Sequence, residues 1–338
     1  MHVKLSSRAV RLSAATGLLA IGTGLAALLS LSFGSNSIPF GEVLSALTTH
    51  VDSDQATVIT SQRLPRTLLG LMVGLALGMA GALMQGHTRN PLADPGLFGV
   101  NAGAAFAVAA LSYGFGVTSS AATVLAALLG AGATSLAILV VGLRSRGSGA
   151  LVMLAITGAT LSALLTALTT ALILLDQRTL DVMRFWQVGA LSDRDYQMAL
   201  HVTPLIALGC VLALFNASSL NSLGLGDEVA QSLGTRVRSS RIVGITAITL
   251  LAGPATALCG PITFLGLVAP HTARALARHD QRWLVPMSGL VGALVLLLAD
   301  TLGRVSARPG ELQAGIVMAA LGAPVLLALT RRRRLVAL

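Results

Sequence analysis

Lysine is all but missing from this 338-residue chain: Lys4 is the only one among 23 lysine and arginine residues. A phosphate-binding loop of the Gly-x-x-x-x-Gly-Lys-Ser/Thr type cannot be built without an internal lysine, so any nucleotide hydrolysis has to come from another chain. Charge as a whole is scarce, at 11% of residues against 54% hydrophobic, with a mean hydropathy of +0.81. That is too little polar surface to cover a soluble globule, and it marks a polytopic membrane protein. The two cysteines, Cys210 and Cys259, both fall in apolar runs, which excludes a disulfide framework. No grouping of His, Cys and carboxylates has metal-ligand spacing, so no metal site and no cofactor held by this chain is expected. Carboxylates are rare inside the apolar runs, which disfavours a proton-coupled carrier built on intramembrane acids. An intramembrane enzyme would need a facing nucleophile and base, and His271 with Arg274 supplies neither.

What the chain does have is a series of apolar runs of about 20 residues, rich in Leu, Ala and Gly, a composition and length that fit helices rather than barrel strands. The fold class is therefore an all-α membrane bundle, with spans expected near 13–33, 64–86, 97–116, 119–142, 149–175, 197–216, 242–259, 261–277, 283–303 and 312–330. Lys4, Arg8 and Arg11 ahead of the first run give it the look of a signal peptide. The run is long and no small-residue cleavage site follows, so a retained first span is expected. With the N-terminus cytoplasmic, ten spans leave only Arg63, Arg66, Arg178, Arg184, Arg194, Arg304 and Arg308 outside, and both termini inside is the favoured topology. The net charge of +10 is then an orientation signal, not a nucleic-acid footprint.

The polar interruptions carry the remaining information. Between the first two spans, Ile38 to Leu47 is amphipathic and fits the membrane interface. The second span opens Arg63-Leu64-Pro65-Arg66, with Pro65 suited to the first helical turn and two arginines on the outer side, against the positive-inside bias. A docking role toward an acidic partner explains their position better than lipid anchoring. The stretch 85–99 holds Arg89, Asn90, Pro91, Asp94 and Pro95 among glycines and reads as a broken turn with an ion-pair candidate, held by Asn90 and Asp94 side chains bonded to free backbone groups. Gly147 and Ser148 lie in a short link into the fifth span. Ser162, Thr166 and Thr169 recur at helical spacing in that span, serving either close helix packing or the lining of a passage whose narrow inner end would be Gly147-Ser148. Trp186 is expected in the interfacial aromatic belt.

Residues 220–234 form an oddly polar interruption, with a two-turn helix candidate N-capped by Asp227, Glu228 in its first turn and Gly234 as its stop. It is too short to span and should lie at the membrane surface. Further on, Gly253-Pro254, Gly260-Pro261, Gly266 and Pro270-His271 interrupt the apolar run 242–277 and predict kinked or discontinuous helices, with Arg274 one turn past His271. Residues 67–99 and 245–270 echo each other weakly in opposite orientations, as an inverted repeat would. Asp300 and Arg304, at i and i+4, should pair.

The motifs Arg-Leu-Pro-Arg (63–66), Arg-Asn-Pro-Leu-Ala-Asp-Pro-Gly-Leu-Phe-Gly (89–99), Leu-Gly-Asp-Glu-Val-Ala-Gln-Ser-Leu-Gly (225–234), Gly-Pro-Ile-Thr-Phe-Leu-Gly-Leu-Val-Ala-Pro-His-Thr-Ala-Arg (260–274) and Gly-Ala-Pro (322–324) together resemble the permease family of bacterial ABC importers for iron-siderophores, haem and cobalamin. The resemblance implies a multi-pass subunit of the bacterial cytoplasmic membrane. Its partners would be a second permease chain, identical or related, two cytoplasmic ATPases carrying ATP and Mg, and an extracytoplasmic binding protein. It implies that 220–234 seats in the ATPase, with Leu223, Leu225, Gly226, Asp227, Glu228, Ala230, Leu233 and Gly234 as its coupling residues. It likewise implies that Arg63, Arg66 and Arg304 face acidic residues of the binding protein, and that Gly147-Ser148 stands near the gate. An iron-siderophore is the expected cargo, haem or cobalamin the alternatives within the family, and a secondary carrier without an ATPase the rival from another class.

Overall fold

Every third or fourth residue along one face of the second apolar run is glycine or alanine, and the bundle is built against that face. The computed structural model describes residues 2–34, 36–48, 53–144, 150–192, 194 and 196–331, and these contain helices and no strand. In chain order the helices are α1 (His2–Ser32), α2 (Phe40–Thr48), α3 (Asp54–Val58), α4 (Leu64–Thr88), α5 (Val100–Phe115), α6 (Ser120–Arg144), α7 (Ala150–Leu175), α8 (Gln177–Trp186), α9 (Tyr196–Leu223), α10 (Asp227–Ser232), α11 (Val237–Cys259), α12 (Leu265–Ala277), α13 (Gln281–Ser306) and α14 (Ala314–Arg331). Seven of the described helical stretches are long and apolar enough to cross a membrane, and α5 and α14 are shorter apolar helices.

α4 runs through the middle, with 78% of its most apolar window buried, whereas α7 has only 11%. In α4, Gly74 and Gly78 fall one turn apart against α13. A β-carbon on Gly78 would strike the Ser288 carbonyl, and one on Gly74 would lie 2.7 Å from the Gly292 carbonyl oxygen. Small residues let the two backbones touch, which is how helices associate in lipid, where apolar burial alone gives no preference for protein over acyl chain. α11 and α12 close over the other sides of α4.

The break in the run 242–277 falls at Gly260 to Phe264, where Gly260 has φ 76° and Phe264 φ 65°. Pro254 and Pro270 sit inside α11 and α12, so the discontinuity falls at Gly260-Pro261 alone among the expected interruptions. Both prolines are buried, and a lost backbone bond is tolerated where protein surrounds the helix. The other break, 89–99, folds back toward α12, so that Pro95 and Asp94 lie against Gly266. The amphipathic piece before α4 is helical as α2. Trp186 ends a helix, α8, where a loop was expected, and it is buried beside Gly260 rather than set at the surface.

Candidate functional site

The two ends of α4 carry the polar clusters of the bundle. At its N-terminus, Arg66 holds Asp300 of α13 with two nitrogens, Nε to Oδ2 at 3.0 Å and Nη2 to Oδ1 at 2.9 Å, and reaches Glu311 at 2.7 Å. Arg304, one turn beyond Asp300, pairs with the same carboxylate at 3.2 Å, as the i, i+4 spacing predicts. The Arg304 guanidinium also donates to the Ser30 carbonyl and hydroxyl of α1. Arg63 lies in a π-helical turn (Ile59–Arg63) that leads into α4, and donates to the carbonyls of Leu31 and Ser32 at 2.7 and 2.9 Å and to that of Asn36. Arg63 and Arg304 are therefore buried on internal partners, and the expectation that they present free guanidinium groups outward does not hold. The last carbonyls of α1 have no helical N–H donors of their own, and a buried arginine fork satisfies them. Beside this cluster opens a cavity of about 370 Å³, lined among others by Arg63, Arg66, Arg194, Tyr196, Arg304 and Glu311.

At the opposite end, α9 continues to Leu223, and a tight turn follows, with the Gly226 amide donating to the Leu223 carbonyl at 3.1 Å. Gly226, at φ 107°, is the residue before α10, so the helix starts on a backbone conformation that favours glycine. Asp227 is the first helical residue and not the N-cap expected for it: its carboxylate is taken by two arginines instead, Arg89 at 2.5 Å on Oδ1 and Arg241 at 2.6 Å on Oδ2. α10 stops in a Schellman motif, with Thr235 donating to the Ala230 carbonyl, Gly234 to that of Gln231, and Gly234 at φ 82°. Leu223 and Ala230 point into the bundle. Leu225, Val229 and Leu233, spaced four apart, stand 63%, 46% and 62% exposed on the outer side, with Glu228 exposed among them. An apolar stripe on a surface turn rimmed by charge is a surface that a protein partner would cover.

The broken turn is held as expected, with Asn90 Oδ1 accepting from the Leu92 amide at 3.0 Å and Asp94 Oδ1 from the Gly96 amide at 2.8 Å. Its ion pair is long-range: Arg89, at φ 50°, turns to Asp227 and to the Leu223 carbonyl at 2.8 Å. Asp94 Oδ2 is buried without a partner, and burial raises the Asp94 pKa to about 6. Arg274 donates to Gln85 Oε1 at 2.9 Å and so ties α12 to α4 behind the turn, while His271 lies exposed on α12 after the buried Pro270.

The hydroxyl stripe of α7 is not uniform in its surroundings. Thr169 is buried and donates to the Leu165 carbonyl, the Ser162 hydroxyl is buried near Gly99, and Thr166 is exposed. Gly147 and Ser148 lie outside the described residues.

Residues missed by sequence reasoning complete the α10 end. Asn216 of α9 joins His87 Nε2 at 3.0 Å, donates to the Ser240 carbonyl at 2.9 Å and accepts from the Ser240 hydroxyl at 2.7 Å. Gly244 makes room for the His87 ring, which a β-carbon there would strike. Asn221 accepts from the Gln281 amide at 2.8 Å and donates to Asp280 at 3.0 Å, which fixes the start of α13. A polar residue inside an apolar run was the one available signal for Asn216.

The model of the FecCD transport family matches residues 22–332. The chain belongs to this family. Among its relatives is the ferric enterobactin transport system permease protein FepD of Escherichia coli K12, 44% identical over 91% of this chain and 92% of that protein. The hemin transport system permease protein HmuU of Yersinia pestis is 38% identical over 80% of this chain and 82% of its own length. A solved structure described as a metal-chelate type ABC transporter in an inward-facing conformation superposes with a TM-score of 0.82 at 28% identity, covering 95% of this chain and 99% of that one. This FecCD-family chain is a membrane-spanning permease of a metal-chelate ABC importer.

Proposed function

We propose that this chain is the passage-forming subunit of an importer that carries an iron-siderophore complex into the cytoplasm, with ATP hydrolysed on separate subunits. The observation that carries the reading is the exposed stripe formed by Val229 on α10 and Leu225 and Leu233 flanking it, a compact apolar surface at one end of the bundle. Arg236, Arg238, Arg278 and Arg282 stand exposed at the same end, and an excess of positive charge favours the cytoplasmic side for it. An ATPase seated there covers the stripe. The opposite end, with its arginine-lined cavity, then faces the extracytoplasmic binding protein, and Arg66 with its neighbours attracts acidic side chains of that partner. The exposed faces of α7 and α14 are available for a second permease chain, with which a passage would be shared. Among relatives, the one named for ferric enterobactin is 44% identical and the one named for hemin 38%, which favours a siderophore over haem.

In proteoliposomes with its ATPase and binding protein, the wild type should take up a ferric siderophore in an ATP-dependent manner. Val229→Arg with Leu233→Arg should abolish both uptake and co-purification of the ATPase. Retention of the ATPase by that variant, or uptake that continues without ATP, overturns the reading.

A further inference from the structure

We infer that Asp227 is the joint through which displacement of α10 reaches the membrane-spanning helices, and is not itself a contact to the ATPase. The inference rests on the reading of α10 as the ATPase seat and adds the route out of it. The two carboxylate oxygens are divided between two helices: Oδ1 accepts from Arg89, which directly follows α4, and Oδ2 from Arg241, one turn into α11. The carboxylate therefore has both oxygens engaged on the bundle side, which leaves the outward contact to Leu225, Glu228, Val229 and Leu233. The Arg89 side chain holds both flanks of the turn at once, since its Nε donates to the Leu223 carbonyl on the near side and its Nη2 to Asp227 on the far side. Movement of α10 relative to α9 must stretch that fork.

The clamp is backed by a second layer. His87 lies two residues before Arg89 and Ser240 one before Arg241, and both meet on Asn216 of α9. The ends of α4 and α11 that receive Asp227 are thus locked to each other by neutral hydrogen bonds in a buried site, where no charge has to be solvated when the ends shift together. The ordinary surface pair of this chain behaves differently: Arg184 and Asp181 are more than half exposed and 3.9 Å apart on a single helix, so they join nothing. By contrast Arg241 is 15% and Asp227 29% exposed, with charge-assisted bonds of 2.5 and 2.6 Å to two different helices. Sequence distance underlines the point, because Arg89 and Asp227 are 138 positions apart and meet for no local reason.

The test compares wild type with Asp227→Asn, Asp227→Glu and Arg241→Gln in the assembled importer, scoring three quantities: backbone hydrogen exchange of 224–235, ATPase co-purification, and substrate moved per ATP hydrolysed. For Asp227→Asn, exchange of these amides should rise about tenfold or more, as expected when a segment's tethers to the core are cut. The ATPase should stay bound, and substrate moved per ATP should fall severalfold. Arg241→Gln should do the same to a lesser degree, and Asp227→Glu, which keeps both ion pairs within reach, should restore most of the ratio. Unchanged exchange in Asp227→Asn, an unchanged ratio, or loss of the ATPase without faster exchange each overturns the joint. None of these outcomes touches the assignment of the ATPase seat, which fails only if Val229→Arg with Leu233→Arg retains the ATPase.

Discussion

The two ends of α4 use the same device, one carboxylate between two arginines, under opposite conditions of burial. At one end Asp300 is 1% exposed and is gripped by Arg66 from α4 and Arg304 from its own helix. At the other, Asp227 is 29% exposed and sits on a six-residue helix between Arg89 and Arg241. A buried cluster of this kind holds tightly because release of any member strands a charge out of water, whereas a half-exposed one can be opened with water replacing the lost partner. The first fastens α4 to α13 and α1, and the second joins the short surface helix α10 to α4 and α11. One end of the central helix is an anchor, and the other, on the inference drawn for Asp227, is a hinge point.

The sharpest way to break this comparison is to remove Asp300. Asp300→Ala leaves Arg304 buried without a carboxylate and Arg66 with Glu311 alone, and the expected loss is about 3–5 kcal/mol, the usual cost of an uncompensated buried charge. It should appear as a collapse of the thermal midpoint of the detergent-solubilised protein and of its yield in the membrane. Replacing Arg66, Asp300 and Arg304 together by leucine should recover much of that loss, because the cost lies in the unpaired charge and not in the absence of a salt bridge. A small effect of Asp300→Ala would mean that water reaches the cluster and that both ends of α4 are hinges.

Hydropathy made most of the skeleton legible and none of this pairing. The run expected at 64–86 is α4 at Leu64–Thr88, and those expected at 119–142 and 149–175 are α6 and α7 within a few residues. Where the sequence misled, the cause was local. α9 runs on to Leu223, past the expected end at 216, because Asn216 and Asn221 end the apolar window while serving as buried and half-buried partners of neighbouring helices. Trp186 was expected at the surface on aromatic preference alone, but α8 folds it onto the core. Arg63, Arg66 and Arg304 could be located at one end of the bundle, yet their burial follows from how α1, α4 and α13 pack, which periodicity does not specify. Arg66 and Asp300 are 234 positions apart. Only the i, i+4 pair Asp300 and Arg304 could be read directly, since helical geometry fixes it.

Asp94 offers a second contrast, a carboxylate buried with no arginine at all. Its Oδ2 is without a partner, and burial raises its pKa from 3.8 to about 6, with the Gly96 amide pulling weakly the other way. A carboxyl whose folded pKa lies above its unfolded value favours folding only while protonated, so its contribution is full below about pH 4 and is lost as pH rises toward about 6. Asp94→Asn keeps an oxygen for the Gly96 amide and does not titrate. The variant should match wild type near pH 4 and exceed it above pH 6 by up to about 3 kcal/mol, at 1.36 kcal/mol for each unit of pKa. Thermal midpoints measured across that range decide it. A constant difference between the two proteins would show that burial does not raise the Asp94 pKa.

The smallest effect belongs to Glu311, and it sets the scale for the rest. Glu311 meets Arg66 at 2.7 Å, a shorter contact than any that Asp300 makes, but its side chain is 34% exposed at the mouth of the cavity. If distance governed these clusters, Glu311→Gln would cost as much as the loss of Asp300. If burial governs, solvent screening reduces the pair to about 0.2–1 kcal/mol, and the difference should fade as salt is raised from about 0.05 to 0.5 M. Removing that charge also leaves the cavity with its arginines less compensated, so an acidic binding-protein surface should associate faster with the variant at low salt and equally at high salt. Stopped-flow association at the two ionic strengths, read beside the melting curves, separates the two accounts. A large, salt-independent destabilisation would place Glu311 with Asp300 in the anchor, while a small and screened one leaves Asp300 alone to hold that end of α4.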